Sequence, residues 1–369
     1  MAIRVIISGG GTGGHIFPAV AIANALKALD PQNEILFVGA NGRMEMEKVP
    51  ATGYKIVGLD IQGINRQVLW KNIFLPFKLF KSMNKARKIV REFKPDVAVG
   101  VGGFASGPLL MVANRLHIPT LVQEQNSYAG VTNKRLGNKA AKICVAYEGM
   151  EQFFPADKVL LTGNPIRRAS VEIDGKRDEA FAFFGLDPDK KTILVTGGSL
   201  GARTLNESVI ASLEKLKHAD VQLIWQCGSY YYDKLSQELQ GKLPAGIHML
   251  AFLQRMDFAY AAADVIIGRA GAGTISELCV VGKPVILVPS PNVAEDHQTK
   301  NAMALVQKQA AVLVKDDQAV ATLFESALAL LNNAVESNSL AYNIKRLALL
   351  DADVVIAREV LKLANKGGR

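Results

Sequence analysis

The sequence is poor in cysteine, with only Cys144, Cys227 and Cys279 in 369 residues. They are odd in number and far apart, which leaves neither a disulfide framework nor a metal knuckle and fits a reducing compartment. No uninterrupted apolar run approaches the roughly 18 residues that a membrane-spanning helix needs, so any membrane association is expected to be peripheral. The opening stretch from Met1 to Ser8 is too short an apolar run for a signal peptide and enters a glycine turn at once, so it reads as a first strand. Low-complexity segments and short-period repeats are missing. So are RNP-type motifs, zinc-finger spacings and long Lys/Arg runs, and nucleic acid is not an expected partner.

What is present favours a globular α/β protein. Apolar residues make up 49% and charged residues 21%, which speaks against a disordered or fibrous chain. The length exceeds what one hydrophobic core usually serves, so two domains are expected. The 43 Lys and Arg outnumber the 34 Asp and Glu, a formal charge of +9 that favours acidic partners such as an anionic membrane or phosphorylated substrates.

Short Val/Ile/Leu-rich runs alternate with segments of helical period, the pattern of βαβ units. Candidate strands are 3–8, 34–39, 96–101, 119–123 and 142–146, then 192–196, 221–226, 264–267 and 284–288. Their runs do not alternate with polar residues, as expected of strands covered on both faces. The break falls near Gly163-Asn164-Pro165, because proline biases the preceding residue away from helix. This predicts domains over 1–163 and 164–342, with a C-terminal helix, about 343–369, packing back on the first.

Four glycine-rich segments each follow a predicted strand: Gly9 to Gly14, Gly100 to Gly107, Gly197 to Gly201 and Gly268 to Gly273. Glycine there permits positive φ and close approach of a ligand, while the next helix offers its first N–H groups to phosphate. One such turn could be steric punctuation; four in register suggest ligand-binding edges of two open sheets.

Gly9, Gly11 and Gly14 match the spacing of a dinucleotide fingerprint. That reading needs a ribose-binding acid at the end of the second strand, where Gly39-Ala40-Asn41-Gly42 offers none, and the oxidoreductase alternative loses weight. In the fourth turn Thr274 and Glu277 admit two accounts. They are either a capping box, or a carboxylate placed to hold a nucleotide ribose beside a helix that faces the diphosphate.

Taken together, GGTGGH at 10–15, GVGGFASGP at 100–108, QEQNSYAGVTNK at 123–134 and GNPIR at 163–167 resemble the MurG family of GT-B glycosyltransferases. So do GGSLGAR at 197–203, RAGAGTISE at 269–277 and EDHQTKNA at 295–302. The resemblance covers about 290 residues in the family's order. It implies a GT-B architecture, two Rossmann-like domains with parallel sheets facing a cleft. The implied activity is inverting transfer of N-acetylglucosamine from UDP-GlcNAc to undecaprenyl-linked lipid I in peptidoglycan synthesis, hence in cell shape and division, at the cytoplasmic face of the inner membrane. Other GT-B enzymes, such as a UDP-GlcNAc 2-epimerase or a lipid glucosyltransferase, would share the donor loops.

Carried over by position, the resemblance places Thr12, Gly13, Gly14, Asn126, Arg167, Ser199 and Leu253 at the donor. Ala270, Gly271, Ala272, Gly273, Thr274 and Ile275 would cradle uracil and diphosphate, with Glu277 on ribose and Gln298 on sugar hydroxyls. His15 and Glu124 become the catalytic candidates on the acceptor side, and Gly102, Gly103 and Ser106 would hold the acceptor diphosphate. Gln123 and His297 sit where relatives carry other residues and receive no role.

No metal or other cofactor is expected. Asp187-Pro188-Asp189 and Asp351-Ala352-Asp353 have the Asp-x-Asp form of metal-dependent transferases, but neither adjoins a glycine turn. Residues 68–94 mix Trp70, Phe74, Phe77 and Phe80 with Lys71, Lys78, Lys81, Lys85, Arg87, Lys88, Arg91 and Lys94. Such a stretch suits an anionic membrane surface or a helix packed on its own sheet.

Overall fold

The computed structural model describes residues 2–63, 75–198 and 200–367. Ser199 and the run from Val68 to Phe74 therefore lie outside the described residues. The chain forms two compact units, one made of residues up to Ile166 and from Leu349 onward, the other of Arg167–Ala348.

The first unit holds a seven-stranded sheet: β1 Arg4–Gly9, β2 Glu34–Ala40, β3 Lys55–Leu59, β4 Val97–Gly102, β5 Thr120–Glu124, β6 Lys142–Val145 and β7 Val159–Leu161. Their order is β3-β2-β1-β4-β5-β6-β7, and every neighbouring pair is parallel. The second unit holds β8 Lys191–Thr196, β9 Val221–Gln226, β10 Ile247–Leu250, β11 Val265–Gly268, β12 Val285–Leu287 and β13 Val312–Leu313. They run β10-β9-β8-β11-β12-β13, again parallel throughout. Both units are Rossmann-like.

Successive residues of a strand point to opposite faces, so a strand covered on both sides must be apolar throughout. β1 shows this. Val5 and Ile7 join a core with Ile16, Ile22 and Leu26 of the Gly13–Leu29 helix. Ile6 joins the opposite core with Ala86, Ile89 and Val90 of the Leu75–Phe93 helix and with Leu109 and Leu110 of the Ser106–Arg115 helix.

The sequence anticipates nine strands and misses four, and those four are β3, β7, β10 and β13, the outermost strand on each side of both sheets. An edge strand is covered less completely and carries a weaker apolar signal. β3 begins with exposed Lys55, Leu161 of β7 is exposed, β10 includes His248, and β13 has two residues.

The last part of the chain forms two helices. Ala334–Lys345 contributes Leu340 to the core of the second unit. Ala352–Gly367 contributes Ile356, Ala357, Val360 and Ala364 to the core of the first, beside β1 and β4. Ile356 is fully buried. Ile356→Ala should therefore cost about 2–5 kcal/mol, read by urea denaturation of the whole chain. A loss below about 0.5 kcal/mol would mean that this helix does not complete the core.

Candidate functional site

In the first unit β1 and β4 lie side by side, so the turns that follow them meet at the carboxyl edge of the sheet. The Gly10 amide donates to the Gly102 carbonyl (3.3 Å). Gly102 and Gly103 have φ of 108° and 89°, and a Cβ on Gly103 would strike the Gly10 carbonyl. Thr12 precedes the Gly13–Leu29 helix in extended conformation, makes no side-chain cap, and the first turn has no acidic residue. Thr12 and Gly14 are exposed and Gly13 half-buried. Ser106 is buried, with its hydroxyl 3.0 Å from the Ser8 carbonyl and 2.8 Å from that of Gly102. That hydroxyl ties β1 to β4.

His15 Nδ1 lies 3.0 Å from the Gly10 carbonyl oxygen. A carbonyl can only accept, so Nδ1 carries a proton, and in the neutral ring the lone pair is then on Nε2. The ring lies against Gly102, where a Cβ would come within 2.7 Å of Nε2.

Glu124 ends β5 and is buried. Its carboxylate accepts from the Asn126 amide (3.1 Å) and side chain (3.3 Å), the Gly130 amide (3.0 Å) and the Asn133 side chain (2.9 Å). With about four acceptor positions on a carboxylate, Glu124 is an anchor for the loop that carries Asn126. Gln123, also buried, donates to Asn164 (3.0 Å), whose side chain donates to the Gln125 carbonyl (3.0 Å). These buried amides tie β5 to the Gly163-Asn164-Pro165 turn.

In the second unit the turn after β8 carries Gly198 and Gly201 with φ of 83° each, and Gly201 presses on the Cys227 carbonyl. After β11 the Ala272–Val281 helix is capped by Gly271 and makes no side-chain cap. Thr274 is thus the third helical residue and Glu277 the sixth, which rules out the capping box. Ala270, Ile275 and Leu253 are buried. Gly271, Ala272 and Thr274 are half-buried and Gly273 is exposed. Arg269, unassigned from the sequence, donates to the carbonyls of Val288 (3.0 Å) and Pro289 (3.3 Å) and to the Asp316 carboxylate, pinning the turn to the end of β12.

Glu277 Oε2 accepts from the Tyr260 hydroxyl (3.2 Å). Burial raises the Glu277 pKa above its ordinary value, while the Tyr260 bond and the nearby Arg167 guanidinium pull it back. The structure therefore brings Arg167 and Glu277 into one electrostatic neighbourhood. Tyr260 is fully buried in the Met256–Ala262 helix; in the sequence it reads as one more apolar core position. Gln298 Oε1 accepts from the Ser290 amide (2.9 Å), which sets its side chain. Just before it, Glu295 and Asp296 have φ of 58° and 52°. Non-glycine residues hold this conformation at a cost and are concentrated at functional sites.

A carboxyl raised in the folded state costs stability above its folded pKa and costs nothing below its unfolded value. Glu277→Gln should thus match or exceed the parent in Tm at neutral pH, with the difference vanishing as the pH falls below the ordinary carboxylate value near 4.5. A marked drop in Tm at pH 7 would instead make Glu277 a helix-supporting residue.

Residues 5–145 match the glycosyltransferase family 28 N-terminal domain and residues 192–356 its C-terminal domain. Two relatives bear the name UDP-N-acetylglucosamine--N-acetylmuramyl-(pentapeptide) pyrophosphoryl-undecaprenol N-acetylglucosamine transferase. The one from Bacteroides fragilis is 57% identical over 99% of this chain and 97% of its own. That from Parabacteroides distasonis is 57% identical over 98% of this chain and 99% of its own. The crystal structure of MurG from Acinetobacter baumannii superposes with a TM-score of 0.78 at 30% identity, covering 98% and 99% of the two chains. A UDP-GlcNAc 2-epimerase from Neisseria meningitidis shares the fold alone, at a TM-score of 0.65 and 17% identity over 98% and 100%.

Proposed function

The chain belongs to the family of these pentapeptide-specific N-acetylglucosamine transferases, and from that premise we infer that it transfers N-acetylglucosamine from UDP-GlcNAc to lipid I, giving lipid II in peptidoglycan biosynthesis. The observation that carries the reading is the fourth turn. A helix opens there without an acidic residue in its first turn, and a carboxylate beside an arginine stands one turn further on.

We propose that the first-turn backbone of this helix, Gly271 to Thr274, faces the donor diphosphate, whose charge suits the positive end of the helix. Arg167 adds a cation, Glu277 accepts from the ribose hydroxyls, Gln298 meets the sugar and the Leu253 backbone meets uracil. In the inverting step the acceptor hydroxyl attacks the anomeric carbon, the bond to UDP breaks, and the hydroxyl proton leaves to a base. His15 suits that task, since with Nδ1 donating to Gly10 the neutral ring has its lone pair on Nε2. Glu124 and Asn126 hold the neighbouring loop, and the backbone of Gly102, Gly103 and Ser106 meets the acceptor diphosphate. We further propose that no metal takes part. Asp187 and Asp189 precede β8 at its amino end, opposite the glycine turns, and the Asp189 amide is bonded back to Asp187 (3.0 Å).

With purified protein, UDP-GlcNAc and a short-chain lipid I analogue, transfer should persist in EDTA. His15→Ala should lower kcat by at least ~10²-fold with donor affinity held. Near-normal kcat in that variant alongside an inactive Glu124→Gln would move the base to the carboxylate.

Association with the cytoplasmic membrane face is proposed from the Leu75–Phe93 helix. Phe77 and Phe80 are 68% and 64% exposed, whereas Ala86, Ile89 and Val90 face the core. Lys85, Arg87, Lys88 and Arg91 are exposed on the same helix, and Arg87 lines a small cavity with Arg115. Each buried aromatic ring contributes about 1.5–3 kcal/mol. Phe77→Ser with Phe80→Ser should therefore release the protein from phosphatidylglycerol vesicles in a sedimentation assay; unchanged binding would remove this helix from the membrane contact.

A further inference from the structure

An acid does follow the second strand, but three residues beyond Gly42 and turned inward. Glu45 opens the short Glu45–Lys48 helix and is 1% exposed. Its Oε1 accepts from the Ala40 amide at the end of β2 (3.0 Å), and its Oε2 accepts from the Gly11 amide in the first glycine turn (2.8 Å). The carboxylate is seated between glycines. A Cβ on Gly10 would strike it, and one on Gly39 would come within 2.6 Å of its Cγ.

Two consequences follow. The Gly11 N–H, which a phosphate-gripping turn would aim at its ligand, is used by the protein's own carboxylate. Moreover, that N–H shares a peptide plane with the Gly10 carbonyl. In a trans peptide the two point in opposite directions, and no cis bond occurs among the described residues. Gripping the Gly11 N–H from one side thus aims the Gly10 carbonyl to the other, where His15 Nδ1 meets it at 3.0 Å. One rigid plane connects a buried carboxylate to the imidazole.

We propose that Glu45 is a positioning residue. By holding the Gly10–Gly11 peptide it keeps the proton of His15 on Nδ1 and the lone pair on Nε2. Its effect on the reaction rests on the reading of His15 as the acceptor-side base; its effect on the tautomer does not. In Glu45→Gln one end of the side chain becomes a donor and can no longer accept from an amide, so one of the two bonds is lost.

The test is ¹⁵N NMR of the full chain labelled at histidine. There are five histidines, and the His15 resonances are identified by their loss in His15→Ala. The native protein should show His15 protonated at Nδ1 alone. Glu45→Gln should mix the tautomers and lower kcat ~10- to 100-fold, the scale of a misplaced catalytic group, with the KM for UDP-GlcNAc within about twofold. Glu45→Asp, which keeps both acceptor oxygens, should recover part of the rate. A native tautomer in both folded Glu45→Gln and folded Glu45→Ala, the second of which loses both bonds, overturns the proposal. A mixed tautomer with native kcat upholds the positioning role and rejects His15 as the base. Should Glu45→Gln fail to fold, Gly10→Ala displaces the carboxylate from the other side and must give the same mixed tautomer; a single Nδ1-protonated form there overturns the proposal.

Discussion

In a parallel sheet every strand runs the same way, so every strand-to-helix turn emerges at one edge. Covering both faces with helices leaves that edge as the place where backbone amides stay accessible. The rest of the molecule depends on this constraint. It sets the turns after β1 and β4 against each other, close enough that Gly103 tolerates no side chain beside Gly10. It also places the turn after β11, with the N-terminus of the helix capped by Gly271, at the corresponding edge of the second sheet. The glycines there pack backbone on backbone.

Three carboxylates on this framework serve different ends because their surroundings differ. Glu124 accepts from four donors on the loop that follows it and on the Val131–Gly137 helix. Glu45 is answered by two amides from separate segments. Glu277 receives one hydroxyl and a neighbouring cation. A carboxylate whose lone pairs are taken by its neighbours holds a loop in place; one with acceptor capacity left can bind. Residue type alone would treat all three as acid–base candidates.

Much of the fold was legible because inner strands must be apolar on both faces, as Val5, Ile6 and Ile7 are. β13 was not, since Val312 and Leu313 are too short a run to register. Helix starts were less legible: the helix after β11 is capped at Gly271, three residues before a capping box at Thr274 would place it, and the last helix begins at Ala352, not near 343. The glycine turns and His15 could be found from spacing. The inward direction of Ser106 and Glu45 could not, because it is set by contacts with Ser8 and Gly11, which lie far off in sequence. Tyr260 carried no signal; its hydroxyl matters only through Glu277, on another helix.

The return of the Ala352–Gly367 helix to the first unit bears on how the chain is made. Arg167–Ala348 is continuous and can close its core as soon as it has left the ribosome. The first unit is translated earlier yet lacks Ile356, Ala357 and Val360 until after the second is complete. During synthesis one face of its sheet, including Val5 and Val97, waits without its last cover, a span of apolar surface open to chaperones or to misassembly. The core of the first unit is thereby completed only after the whole second unit has been synthesised.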